Sequence, residues 1–226
     1  MQRLRVRYAK RGRLRFTSHR DFSRAFERAV FRARVPMAYS SGFNPHPRIS
    51  YAGAAPTGSA SEAEYLEIAL AEPVAPAEIR ARLEEALPDG LDVLEVVEST
   101  GGSLADLLSG SHWRITTTAD SGSAQVAVEA FLAREEVIVE RMTKKGLRAF
   151  NCRAAVVALR ADGPDLDLVL RHEVPAVRPD DVLSGLAATS GFHAGEAPTL
   201  TRLAQGPLDE DTAAIADPLA VAPDRK

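Results

Sequence analysis

Within its first 33 residues the chain changes hydrophobic period, and that change restricts the fold more than any other feature of the sequence. In QRLRVRYAK, Leu4, Val6 and Tyr8 alternate with Arg3, Arg5 and Arg7, the period of two of a strand with one face in a core. A turn at Gly12 follows, and Leu14 and Phe16 resume the alternation against Arg13 and Arg15. From there the apolar residues recur as Phe22, Ala25, Phe26, Ala29, Val30 and Ala33, one stripe of a helix that ends before Pro36. Ser18 and Asp21 mark its start, because a hydroxyl accepts an orphan backbone N–H and a carboxylate suits the positive end of the helix dipole. The opposite face carries Arg20, Arg24, Arg28 and Arg32 at i+4 steps, and Phe31 points outward among them.

The two periods keep alternating. EYLEIALAE reads as a strand, APAEIRARLEEAL as a helix with Ile79, Leu83, Ala86 and Leu87 inward, and LDVLEVVES as a strand. With a second strand near residues 36–51, the order is β-α-β-β-α-β, a ferredoxin-like split βαβ. A Gly- and Ser-rich stretch follows, in which Leu104, Leu107 and Leu108 suit one helical turn. A weaker repeat then runs WRITTTAD, SAQVAVEAFLAR, EVIVERM, a TKKG turn, AAVVALRAD, DLDLVLRHE, RPDDVLSGLAA and TLTRLAQG, with an extra hairpin. The prediction is an α+β protein of two ferredoxin-like domains in tandem, with antiparallel sheets and helices on one face. The domains span residues 1–100 and 112–206, the linker 101–111, and a flexible tail 207–226.

Composition sets the function classes. No run of 18 apolar residues exists and MQRLRVRYAK is no signal peptide, so the expectation is a cytoplasmic protein without membrane association. The single cysteine, Cys152, can form neither an internal disulfide nor a cysteine metal cluster and reads as a small buried hydrophobe. A net charge of −3 conceals an asymmetry: residues 1–50 carry 13 Lys and Arg against two Asp and Glu, leaving 15 against 29 for the rest. A basic block of this kind faces RNA, an acidic protein partner or an acidic part of the same chain.

If Leu4, Val6 and Tyr8 face the helices, Arg3, Arg5 and Arg7 lie on the other sheet face, either open to nucleic acid, solvated, or covered. Arg20, Arg24 and Arg28 join them as phosphate-binding candidates, and Phe31 suits either a stacked base or a protein anchor. The alternative for this stripe is an ordinary wet helix face. In YSSGFNPHPRIS, Pro45 and Pro47 stiffen the backbone around His46, and Gly42 suits a positive φ. Tyr39, Phe43, Asn44, His46 and Arg48 then form a recognition loop, or a rigid connector whose side chains cap backbone. His19 and His46 are the only candidates for an acid or base, and with Asp21 the only candidates for a metal. No metal-ligand spacing, phosphate-cradling loop or nucleophile elbow accompanies them, so no catalytic residue, metal or cofactor is assigned.

Residues 14–68 resemble a known family through three ordered elements: SHRD at the helix start, YSSGFNPHPRIS, and the SEAEYLEI that leads into the next strand. The resemblance is to the bacterial radical-SAM-linked protein family, a domain of unknown function. It implies a cytoplasmic accessory protein near RNA metabolism whose partner is a radical-SAM enzyme. That enzyme is expected to be encoded separately, since one cysteine cannot build a three-cysteine iron–sulfur site. The leading expectation is therefore an RNA-binding module for tRNA or rRNA. Two alternatives stand beside it: a metal-independent endoribonuclease resembling the CRISPR precursor-RNA processing enzymes, with His19 or His46 as acid or base, and a protein scaffold for the radical-SAM partner.

Overall fold

Leu4 and Val6 are fully buried on strand β1 (Gln2–Lys10), beneath helix α1 (His19–Arg32), whose Phe22, Phe26, Ala29 and Val30 supply the facing stripe. The structure is a computed structural model and describes residues 1–143 and 146–220. Its fold class is α+β, with four α-helices among the described residues and mostly antiparallel strand pairing. No helix among the described residues is long and apolar enough to cross a membrane. The chain divides into two units, one of Met1–Leu108 with the stretch that begins at Asp217, the other of Ser109–Ala216.

In the first unit, β2 (Ile49–Ala52), β3 (Ala60–Leu70), α2 (Pro76–Ala86) and β4 (Val93–Glu98) complete the framework. β1 pairs antiparallel with β3 on one side and β4 on the other, and β2 pairs antiparallel with β3. The register sets Leu4 opposite Ile68 and Val6 opposite Leu66, so one face presents all four to α1, and Ile79 and Leu83 of α2 join the same core. Tyr8 stacks on Phe22 with ring centroids 4.6 Å apart. The second strand is shorter than the expected 36–51, because Pro45 and Pro47 interrupt the ladder and only isolated bridges at Met37 and Tyr39 precede it.

The other face of this sheet is covered in part. Ala52, Ala63 and Tyr65 lie under Leu104, Leu108 and Leu219 in a second apolar cluster. Residues 101–108, expected as linker, therefore cover the sheet, with a single 3-10 turn at Ala105–Leu107. The expectation of a flexible tail is also corrected for residues 207–220. Leu208–Asp209 pairs with Ala214–Ile215, Arg171 binds Glu210, and Leu208 and Ile215 close on Gly110, where a Cβ would lie 2.8 Å from Leu208. Residues 221–226 of that tail lie outside the described residues, as do Lys144 and Lys145 of the TKKG turn.

The second unit runs β5 (Gly110–Thr116), α3 (Ser121–Leu132), β6 (Ile138–Thr143), β7 (Gly146–Asn151), β8 (Val156–Asp162), β9 (Asp165–Arg171), α4 (Pro179–Ser190) and β10 (Thr199–Gly206). Its strands pair antiparallel as β10-β5-β9-β8, and β6 and β7 form a separate hairpin. Gly185 lets α4 approach closely: a Cβ there would stand 2.8 Å from the Phe131 ring and 2.9 Å from the Cys152 sulfur. Cys152 itself is fully buried, and burial pushes its thiol up to about 11, so it is inert at neutral pH.

Phe26→Ala is expected to cost about 3–5 kcal/mol in urea unfolding, since the ring is 1% exposed and its loss leaves a cavity. Gly185→Ala is expected to cost about 1–3 kcal/mol by overpacking, and a variant as stable as the parent would contradict the close approach of α4.

Candidate functional site

Helix α1 fixes the most distinctive surface of the first unit. Its first turn is set by Ser18, whose Oγ accepts from the Asp21 backbone N–H at 3.2 Å and donates to the Asp21 carboxylate at 2.6 Å. With Phe22, Phe26, Ala29 and Val30 committed to the core, Arg20, Arg24, Arg28 and Arg32 face outward and are exposed, about 6 Å apart along the axis. No carboxylate pairs with any of the four among the described residues. Phe31 stands among them at 82% exposure. With Glu27 and Arg32 it lines two open grooves. One, about 770 Å³, adds Arg24, Arg28, Ala86 and Pro88; the other, about 530 Å³, adds Arg34, Met37, Tyr39 and Pro47.

The loop that follows is a closed projection. Ser40 N–H donates to the His46 carbonyl at 2.9 Å, His46 N–H donates to Ser40 Oγ at 3.0 Å, and Arg48 N–H donates to the Ala38 carbonyl at 2.8 Å. Gly42 has φ +130, a value other residues rarely adopt. The side chains of Asn44, His46 and Arg48 are exposed, Tyr39 is half exposed, and Phe43 at the tip is fully exposed. The capping in this loop is done by Ser40 and by backbone, which leaves the five candidate side chains outside the hydrogen bonds that hold it closed.

On β1 the expectation for the arginine row needs correction. Arg5 is 1% exposed; its Nε donates to Glu67 at 3.3 Å and its Nη2 to the carbonyls of Gly101 at 2.5 Å and Gly102 at 3.2 Å. It is a buried structural cation, unable to reach a phosphate. Arg7 is half-buried and donates to the Glu62 carbonyl at 3.0 Å. Arg3 remains exposed, sharing Glu67 at 3.3 Å. Nearby Arg11 bridges Glu62 and Asp92, and its hydrogen bond to Glu62 raises its pKa further. Glu67 has thus taken up the charge of Arg5 and part of that of Arg3, and Glu62 and Asp92 that of Arg11, while the arginines of α1 have no ion pair among the described residues.

His19, Asp21 and His46 are not brought together as a metal site: no cluster of His, Cys, Asp and Glu suited to a metal occurs among the described residues. Asp21 is engaged in the cap, and the His19 ring packs edge-on against Tyr51 with centroids 5.1 Å apart. Burial pushes the Tyr51 hydroxyl up to about 12, against a smaller opposing effect of Ser23. Neither histidine ring pairs with a carboxylate among the described residues.

Sequence reasoning missed Arg34 and the walls of the two grooves. Arg34 has φ 51, a left-handed residue just past the helix end, and nothing in RARVP announces it. Ala86 and Pro88 come from the end of α2, a neighbour that only the tertiary fold supplies.

These features define an α+β protein with an unneutralised basic and aromatic helix face beside a stiffened loop. The chain belongs to a family described as an uncharacterized protein conserved in bacteria (DUF2344), whose model matches residues 3–179 and so contains the stretch 14–68. That description names no activity and no radical-SAM enzyme. No curated protein matches the chain. Among solved structures, the crystal structure of the first two RRM domains of the yeast poly(U)-binding protein Pub1 covers 88% of this chain and 98% of its own, at 9% identity and a TM-score of 0.21. A score that low carries no argument about fold or function.

Arg5→Ala is expected to destabilise the protein by about 3–5 kcal/mol, because it removes the buried half of the Glu67 ion pair and the donor to two carbonyls. Arg24→Ala and Arg28→Ala are expected to stay within about 0.5 kcal/mol of the parent. Equal effects in chemical denaturation would contradict the division between structural and free arginines.

Proposed function

We propose that this chain is an RNA-binding accessory module that holds a single-stranded segment of tRNA or rRNA along α1. The observation that carries the reading is the stripe of Arg20, Arg24, Arg28 and Arg32, without carboxylate partners among the described residues, around the exposed ring of Phe31. Guanidiniums neutralise phosphates, and an aromatic face between them stacks a base at about 1–3 kcal/mol per base. Tyr39, Phe43, Asn44, His46 and Arg48 present further stacking and hydrogen-bonding groups from the adjoining loop, and Arg3 adds one more exposed cation. We read each unit as a ferredoxin-like split βαβ: both follow β-α-β-β-α-β, and the second carries the β6-β7 hairpin as an insertion. The radical-SAM enzyme belongs to the same proposal, as a separately encoded cytoplasmic partner to which this module delivers RNA.

Fluorescence anisotropy with a short single-stranded RNA over a range of salt tests the reading. The expected slope of log affinity against log salt is about −0.7 per phosphate contacted, and replacing Arg20, Arg24 and Arg28 together by Ala removes about two units of it. Phe31→Ala weakens binding by about 1–3 kcal/mol at any salt. Undetectable binding in low salt, or a triple variant with the parental slope, would overturn the reading in favour of an acidic protein partner. RNA cleavage that His46→Ala abolishes without loss of affinity would instead establish the endoribonuclease.

A further inference from the structure

We propose that the pocket where the loop meets β1, β2 and β3 is a binding site for a phosphate group, separate from the α1 stripe. The pocket, about 360 Å³, collects Arg3 from β1, His46 and Arg48 from the loop, Ser50 from β2 and Glu67 from β3. Three of these five offer N–H donors of positive or ionisable character, and they arrive from chain segments more than 40 residues apart in sequence.

The balance of charge inside the pocket favours an anion. Glu67 is 12% exposed and already accepts from the buried Arg5 at 3.3 Å and from Ser99 Oγ at 2.7 Å, so its charge is met from below. Arg3 gives it only one further bond, at 3.3 Å, and keeps 56% of its side chain exposed. The Arg48 guanidinium has the Met1 sulfur at 3.8 Å as its one side-chain contact among the described residues, a weak acceptor that leaves most of its five N–H groups unused. Two guanidiniums and an imidazole that line one pocket from two chain segments suit a tetrahedral phosphate, whose oxygens point apart, better than a planar carboxylate, which one guanidinium saturates.

The site is also arranged before any ligand arrives. The two hydrogen bonds between Ser40 and His46, and the bond from Arg48 N–H to the Ala38 carbonyl, fix the backbone on which His46 and Arg48 stand. Ala69 N–H, on the pocket wall, donates to the Arg48 carbonyl at 3.0 Å and ties the loop to β3. Pro47 restricts the residue between the two donors. Binding therefore requires ordering of side chains only, which reduces its entropic cost.

The test uses the full chain, isotope-labelled, titrated with inorganic phosphate at constant ionic strength while the ring signals of His46 and the Nε signals of Arg3 and Arg48 are followed by NMR. The expected result is saturable shifts at all three, lost in Arg48→Gln with an unchanged melting temperature, and not reproduced by succinate. Shifts equal to those of added chloride, equal saturation by succinate, or shifts at His46 that persist in the Arg3→Gln/Arg48→Gln protein would overturn the assignment. A second arm identifies the source of the phosphate by comparing a 5′-phosphorylated single-stranded RNA with its 5′-hydroxyl counterpart. An advantage of about tenfold for the phosphorylated strand, abolished by Arg48→Gln and retained when Arg20, Arg24 and Arg28 are replaced, assigns the pocket to an RNA terminus. Saturation by inorganic phosphate with equal affinity for the two strands assigns it to a small phosphorylated molecule. Saturation by phosphate with no binding of either strand supports the pocket and removes the RNA reading alone.

Discussion

A guanidinium with 1% of its surface exposed has to find counter-charge and lone pairs inside the protein, and Arg5 finds them in Glu67 and in the carbonyls of Gly101 and Gly102. That one side chain ties β1 to β3 through a buried ion pair and ties both to the chain that leaves β4. The segment from Ser99 to Leu108 is thereby drawn across the sheet, where Leu104 and Leu108 cover Tyr65 and Ala63. That part of the second sheet face is closed as a consequence, and what stays open on it is the end around Arg3, Ser50 and Glu67.

The helical side meets the opposite condition. α1 spends its apolar stripe on Leu4, Val6, Leu66 and Ile68, so its arginines have no interior to satisfy them and stand in water. On β1, Arg3 and Arg5 share Glu67, and just past its end Arg11 bridges Glu62 and Asp92; on α1 the arginines sit beside Phe31, Glu27 and two grooves, with no ion pair among the described residues. Ion pairing, rather than the count of basic residues, separates the structural arginines from those available to a partner. The stiff loop adds a second exposed set, in which His46 and Arg48 meet Arg3 at a pocket distinct from the stripe.

Local signals in the sequence were legible where a single element decides the outcome. The alternation of Leu4, Val6 and Tyr8, the stripe from Phe22 to Val30, the Ser18–Asp21 start and the outward Phe31 all follow from periodicity and capping, which act over a few residues. What covers a face is not local. Alternation places Arg5 opposite Leu4 and Val6 but says nothing of Gly101 and Gly102, which are 96 and 97 residues away. The same limit hid the hairpin strand Gly146–Asn151, none of whose residues is buried. It also hid the ordering of residues 207–220, which depends on Gly110, Arg171 and the first unit's Tyr65 cluster rather than on their own composition.

The central claim is that RNA runs along the cations of α1 and not across the arginine row of β1, in which Arg5 is buried and Arg7 half-buried. Photocrosslinking with a single-stranded RNA carrying 4-thiouridine, followed by mass spectrometry of the crosslinked peptides, tests it directly. The account predicts that the adducts concentrate on the peptide that contains Phe31, with weaker adducts at Tyr39 and Phe43 in the loop. Adducts concentrated on Tyr65, beneath Leu104 and Leu108, would contradict it, because RNA could reach that ring only if the covered sheet face were open.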